Sequence, residues 1–554
     1  MGAIIGITDN HDSGACLFEN NKLVYAVNEE RLNREKLTRK FPKLSIIECL
    51  KRTKDKEITY VIASNFTPIS LFRLLNKKYV SIKSRSQFSY FVNLYFLYQI
   101  FIRKLKLTKF EAFASKIILQ HKLKKFSKIK DLVLIDHHKV HSHGAFSSSS
   151  FKEALVITVD AMGDGLSLTI NIGKNNKLTE VYQELGNSAI SLYYSRITEL
   201  LGFKALRHEG KILGLSCYGD SSKTIKYMKK LLYFNGQGGF NKLNHLVPVS
   251  KNKGIYKIIN KFKREDVAAG LQKNLEIEFL KFLEYWMKKT KQTNICLAGG
   301  LFANVKLNQK IQEIAKDIFI SSHMGDGGLG VGAIFTHLSN CKKLDSLYLG
   351  NEYTDEFIKY VLDKSKINYS IPTNLAKTVA SLLSKNNVVV LFQGKMEFGP
   401  RALGNRSLLY RPDDPKVNDW LNKKLNRTEF MPFAPVVLIE DAKKCFKKIN
   451  INSQPAKHMI MTYECTDWMK KNCPGVVHID GSARPQLIDK KVNPVYYNIV
   501  KEFKKITGLP CIINTSFNMH EEPIVCSPKD AIRAFMDSKL DYMVMNKYLI
   551  EVKK

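Results

Sequence analysis

The chain has 554 residues, enough for roughly two to four domains, and its 87 Lys and Arg against 51 Asp and Glu leave a formal charge of +36. Apolar residues at 44% and charged residues at 25% are ordinary for a globular protein and exclude wholesale disorder. The ten cysteines are scattered without a CxxC pair, which argues against a zinc ribbon or disulfide scaffold and fits a reducing cytoplasm.

No basic stretch followed by an apolar core opens the chain, and no uncharged apolar run reaches the roughly 20 residues that span a bilayer. A cytoplasmic protein is expected. The basic surplus points to an anionic partner, whether nucleic acid, phosphorylated substrate or acidic membrane, without choosing among them.

In chain order, residues 2–7, 15–18 and 23–27 read as short strands, the first running into a polar loop. Residues 70–130 then hold fifteen Lys and Arg against one acid, Glu111, around the uncharged aromatic run FSYFVNLYFLYQIFI at 88–102. One reading is an amphipathic helical lid packed on the core. A second is docking on an anionic membrane, peripheral at the inner face, with Phe88, Tyr90, Phe91, Tyr95, Phe96 and Phe101 toward lipid. Single-stranded nucleic acid is a third. Strands are predicted again at 132–135 and 154–159, a helix over 260–290, and strands at 295–297 and 318–321, each of these two running into glycine-rich turns. The pattern restarts around 340–350, which sets the domains at 1–342 and 343–554. Strands are predicted in the second at 388–392 and 511–514. Alternating strands and helices make the class α/β.

Three constellations carry chemistry. In DHHKVH, His137 and His141 stand four apart and share one face of a helix, as two ligands of one metal would. Asp160 ends a strand and Asp326 sits in a glycine turn, so both are placed to join them; iron, manganese or zinc would suit such donors better than calcium. Two surface histidines on a helix remain the plain alternative. The turns at 160–165, 298–300 and 325–328 follow strands and bring backbone N–H groups close enough to cradle phosphate, although tight turns use glycine anyway. Together they suggest the split sheets of actin-like and sugar-kinase-like folds. The third constellation, QGKMEFGPRALGNRS, gathers Lys395, Arg401 and Arg406 in a loop after a strand, a cation set suited to a phosphate-rich ligand. Exposed loop arginines are its bland counterpart.

These strings, with HDSGACLF, NEERLNREK, EGKILGLSCYG, LAGGLFAN, MPFAPVV, DGSARPQ and NTSFNMHEEPIV in this order, resemble the O-carbamoyltransferase family typified by NodU, CmcH and TobZ. The resemblance covers nearly the whole chain except roughly 70–130. It implies an N-terminal actin-like domain of TsaD type with duplicated sheets and a C-terminal YrdC-like α/β domain. ATP and carbamoyl phosphate would form carbamoyl adenylate in the second, and a hydroxyl of a sugar, glycoconjugate or natural product would take the carbamoyl group in the first.

Carried onto this chain, the resemblance makes His137, His141, Asp160 and Asp326 ligands of a divalent metal, iron(II), with magnesium accompanying ATP. His11 becomes the general base with Asp9 beside it, and Lys36 a contact of the adenylate. Lys395, Arg401, Arg406, Ser482, Arg484 and Asn514 fall in the carbamoyl phosphate and ATP site, and Gly299, Gly300 and Asn304 are assigned to cofactor binding. His11 could instead only cap a turn. The rivals are a tRNA threonylcarbamoylation-type enzyme and a non-catalytic binder of anionic partners; no nucleic acid is expected.

Overall fold

Short branched and aromatic runs bounded by Gly and Asn form strands where the sequence places them. The computed structural model describes residues 2–66, 90–241, 253–338, 344, 346–426 and 430–552, with backbone alone at 90–93. The chain divides into two units: Met1–Glu30 with Leu37–Leu344, and Arg31–Lys36 with Asp345–Lys554.

The first unit carries one sheet pattern twice. β1 (Ile4–Thr8), β2 (Gly14–Glu19), β3 (Lys22–Asn28), β4 (Glu57–Ala63) and β5 (Lys128–Ile135) lie in the order β3-β2-β1-β4-β5. β6 (Glu153–Gly163), β7 (Leu166–Lys174), β8 (Lys177–Leu185), β9 (Asn294–Ala298) and β10 (Asp317–Ile320) lie in the order β10-β9-β6-β7-β8. In each sheet three strands form an antiparallel meander and two more add in parallel to its first strand. This duplication is the actin-like arrangement the resemblance implies. Parallel additions require crossovers, which put helices on the sheet faces and gather loops at the carboxyl ends of the strands. The helices His137–Ser148 and Leu329–His337 pack on each other, the second against β1 and the first against β6. β6 is buried from Ala154 to Val159 and emerges at Asp160, so burial itself delivers that carboxylate to the sheet's end.

The second unit is built on a seven-stranded mixed sheet. Its strands are β11 (Val389–Phe392), β12 (Arg406–Tyr410), β13 (Ala434–Leu438), β16 (Gln486–Ile488), β17 (Cys511–Ser516), β18 (Tyr542–Met545) and β19 (Tyr548–Glu551), in the order β16-β13-β17-β12-β11-β18-β19. A separate pair is formed by β14 (Tyr463–Glu464) and β15 (Ser482–Ala483). Only β11 and β17 are legible in the sequence; β12, β13, β16, β18 and β19 have three to five residues each, too few for a period to show. The segment Arg31–Lys36 belongs here, unlike the expected division at 342/343. Leu32 packs against Met396, Ala402, Ile524 and Cys526. Arg34 donates to the carbonyls of Pro523 (2.7 Å) and Ile524 (2.8 Å), and Arg31 to that of Gly399 (3.0 Å).

Candidate active site

Asp136 caps the His137–Ser148 helix, accepting from the N–H groups of His138 and Lys139, so the helix begins at His137. His137 and His141 then lie one turn apart on one face, and His138 points elsewhere. His138 shares a hydrogen between Nδ1 and the Thr158 hydroxyl (2.7 Å) and donates from Nε2 to Leu166 O (3.1 Å); burial, then the neighbouring histidines, push its pKa down to about 3. It is a neutral core histidine.

The other two meet the predicted carboxylates. His137 Nε2 lies 3.3 Å from Asp160 Oδ2 and 3.5 Å from Asp326 Oδ1, and His141 Nε2 lies 3.6 and 3.7 Å from the same atoms. Most of these separations are too long for good hydrogen bonds, and His141 Nε2 is buried without a hydrogen-bond partner. They suit four donors around one ion, because ligand atoms about 2.1 Å from a common centre sit about 3–4 Å apart. The residues present therefore fit a divalent metal. Two glycines make room: a Cβ on Gly163 would stand 2.2 Å from the His137 ring, and Gly299, at φ 103°, would put one 2.1 Å from Val159 O.

The charges of these four residues depend on one another. Burial disfavours charge on His137, yet Asp326 and Asp160 outweigh it and raise its pKa to about 9. Burial also opposes charge on Asp160, but His137 and His141 hold it well below the carboxylate range. Burial and the nearby Asp160 charge raise Asp326. Behind them, Asp164 accepts from the His137 N–H (2.9 Å), the Ser64 hydroxyl (2.5 Å) and the Asn65 N–H (2.9 Å), tying the ligand helix to the end of β4.

A pocket adjoins this cluster, lined by Asp160 and Asp326 together with Asn10, His11 and Arg39. Asn10 Nδ2 donates to Asp326 Oδ2 at 3.0 Å. His11 Nδ1 lies 3.0 Å from Asp12 Oδ2, and Asp9 is buried two residues before His11. Burial lowers the pKa of His11, but Asp12 and then Asp326 more than offset this and bring it to about 9, not the ordinary value a neutral-pH base would want.

Part of the 70–130 segment lines the same pocket. The helix Tyr90–Lys104 supplies Tyr95, Phe96 and Gln99 to the pocket. Tyr95 is buried and Phe96 packs on a core cluster with Met162 and Leu192, so neither faces outward as membrane docking had placed them; Phe101 does. Phe88 and the side chains of Tyr90 and Phe91 lie outside the described residues. The apolar period marked an amphipathic helix but not which face was inward.

In the second unit the loop from Gln393 to Ser407 is shaped from within. Glu397 Oε1 accepts from the N–H groups of Leu403 (2.7 Å), Asn405 (2.7 Å) and Arg406 (3.2 Å). Arg406 is fully buried, donates to the carbonyls of Gln393, Asn405, Asn351 and Gly394, and stacks on Phe392. Its terminal nitrogens are engaged by backbone carbonyls, while Nε is buried without a hydrogen-bond partner. Glu397, which sequence reasoning missed, is the loop's anchor; an acid amid three cations was the available signal. Asn514 donates to Ala402 O (3.0 Å) and Gln486 Oε1 (2.9 Å), leaving its buried Oδ1 unsatisfied. The Ser482 hydroxyl is bound to Asp480 at 2.7 Å. Lys395 is exposed, and Arg401 and Arg484 are half-buried. Lys36 belongs to the Arg31–Lys36 segment of this unit. Asn304 caps the Val305–Ile314 helix through Leu307 N (3.0 Å) and pairs with Gln272. Gly300 lies against Asp160, and Gly299 serves the turn described above.

Residues 3–335 match the carbamoyltransferase N-terminus family and residues 380–552 the carbamoyltransferase C-terminus family. An uncharacterised protein of Methanocaldococcus jannaschii is 32% identical over 99% of both chains. Nodulation protein NolO of Bradyrhizobium diazoefficiens is 32% identical over 75% of this chain and 78% of that protein. Among solved structures, component A of the Acidaminococcus fermentans (R)-2-hydroxyglutaryl-CoA dehydratase is 10% identical, with a TM-score of 0.33 over 61% of this chain and 99% of that one. With both of its units matched in order, the chain belongs to the carbamoyltransferase family and is a carbamoyltransferase enzyme.

Proposed function

We propose that this carbamoyltransferase forms carbamoyl adenylate from carbamoyl phosphate and ATP in its second unit and transfers the carbamoyl group to a sugar or glycoconjugate hydroxyl in its first. The observation that carries the reading is the convergence of His137, His141, Asp160 and Asp326, two of which, Asp160 and Asp326, line a pocket together with His11. In the first reaction water releases carbamate and inorganic phosphate from carbamoyl phosphate. A carbamate oxygen then attacks the α-phosphorus of ATP, and pyrophosphate leaves. Lys395 and Arg401 supply the positive charge that such phosphates require, on a loop that Glu397 and Arg406 hold in shape.

In the transfer, the acceptor oxygen bonds to the carbamoyl carbon and AMP departs with the electron pair of the broken C–O bond. His11 takes the hydroxyl proton at Nε2, its Nδ1–H held toward Asp12. Its raised pKa opposes this role, and compensation of the Asp326 charge would remove one of the causes that raise it. The four ligand residues would hold a divalent metal, iron(II) by family resemblance, whose chemistry there is Lewis-acid polarisation. Asn10 and Asp164 orient those ligands.

The test is ATP-dependent pyrophosphate release with carbamoyl phosphate as co-substrate. Arg401→Ala should abolish it, whereas His137→Ala should retain it and lose only the transfer to acceptor. Absence of pyrophosphate from the wild type, or failure of both variants at the same step, would overturn this division of labour.

A further inference from the structure

Ten of the twenty-three exposed large apolar side chains among the described residues fall between Leu94 and Ile118. They are not scattered. Leu94, Leu97 and Phe101 on the helix Tyr90–Lys104, and Phe110, Phe113 and Ile117 on the helix Thr108–Leu123, each run i, i+3, i+7 along an outer stripe. Phe110 and Phe113 are 68% and 63% exposed, far more than a helix normally leaves uncovered. Lys104, Lys106, Lys109 and Lys116 are exposed around the same stripes. The one acid of the pair, Glu111, accepts instead from the Tyr98 hydroxyl at 2.7 Å and joins the two helices.

We infer that this helical hairpin docks the enzyme on an anionic phospholipid bilayer. Apolar stripes bordered by lysine match an interface where acyl chains lie under negative headgroups. A second copy of the chain fits less well, because a two-fold contact would oppose each lysine cluster with its own kind. The same helix also faces the active site. Tyr95, Phe96 and Gln99 line the pocket, Gln99 Oε1 accepts from Gly165 N (3.1 Å), and Arg103 donates to Asp136, the cap of the ligand helix (2.6 Å). One helix thus carries a lipid-facing stripe and an acceptor-facing wall, which makes the acceptor a lipid-anchored hydroxyl compound. That last clause rests on the transfer reaction proposed above; the docking does not.

Flotation of the full-length protein with vesicles of phosphatidylglycerol mixed into phosphatidylcholine, against phosphatidylcholine alone, tests it. The protein should float only with the anionic vesicles and be released by high salt. Joint replacement Phe110→Ser, Phe113→Ser and Ile117→Ser should weaken partitioning about tenfold or more while pyrophosphate release is unchanged. Joint Lys104→Gln, Lys106→Gln, Lys109→Gln and Lys116→Gln should remove the preference for anionic lipid. Equal recovery with and without phosphatidylglycerol, or undiminished flotation of the serine variant, would overturn the inference. So would a wild type that never floats but is a dimer, with the serine variant a monomer: the face would then be a contact between copies.

Discussion

The two motif-rich loops of this enzyme solve opposite electrostatic problems. In the first unit, two carboxylates and two imidazoles converge at separations too long to satisfy one another, and a buried imidazole nitrogen stays unbonded. In the second unit the terminal nitrogens of Arg406 donate to four carbonyls and Glu397 Oε1 accepts from three N–H groups, while Arg406 Nε and Glu397 Oε2 stay buried without a hydrogen-bond partner. The first set leaves room for an ion among its donors; the second is committed mostly to holding its own loop. Both look alike in sequence, as dense clusters of charged and glycine residues.

The comparison is broken most sharply at Arg406. Arg406→Ala would strand its carbonyl partners in the interior and should cost about 3 kcal/mol or more. Urea titration of the purified variant would show the loss; an unchanged midpoint with lost nucleotide affinity would instead place Arg406 in the phosphate site. For the incomplete set the expected phenotype is the reverse. Asp326→Asn should leave the folded protein intact but weaken divalent-metal retention about 100-fold or more, read by equilibrium dialysis, since it removes a negative donor from a four-ligand set.

A pH series sharpens the same contrast. In chelator-treated protein His137 has a pKa near 9, raised above the unfolded value of about 6.5. A raised histidine pKa stabilises the fold fully below about 6.5, and that stabilisation is lost as pH rises through about 9. The metal-free protein should therefore lose on the order of 2 kcal/mol across that window. Bound metal should flatten the slope, because its affinity grows as protons leave the imidazole. A slope unaffected by metal would mean that these residues do not bind it.

Much of the ligand set was legible because each signal was local. The spacing of His137 and His141 needs only a helix, and Asp160 and Asp326 need only to end strands. Strand order within the duplicated sheets and the short strands of the second unit were not legible, since they depend on pairings between distant segments. Orientation is not legible either. The lid reading turns Tyr95 and Phe96 inward and the membrane reading turns them outward, and the aromatic run has no marked inner face until Phe96 is seen to pack on the cluster of Met162 and Leu192. Asp12 is not singled out by the sequence, because only geometry shows its carboxylate beside His11 Nδ1.

The smallest expected effect separates resemblance from use. Asn304 sits in the string LAGGLFAN, which family likeness assigned to cofactor binding, yet its side chain caps a helix and pairs with Gln272. Asn304→Ala should cost about 1 kcal/mol, the usual loss for removing an asparagine cap. Asn304→Asp should recover most of that, because aspartate caps as well and suits the positive end of the helix. The apparent KM for ATP in pyrophosphate release should be the same in all three proteins. An alanine variant of unchanged stability with a raised KM for ATP would show the side chain to be a nucleotide contact after all, and the glycine turn beside Asp160 would then belong to a phosphate cradle instead of only making room for the carboxylate.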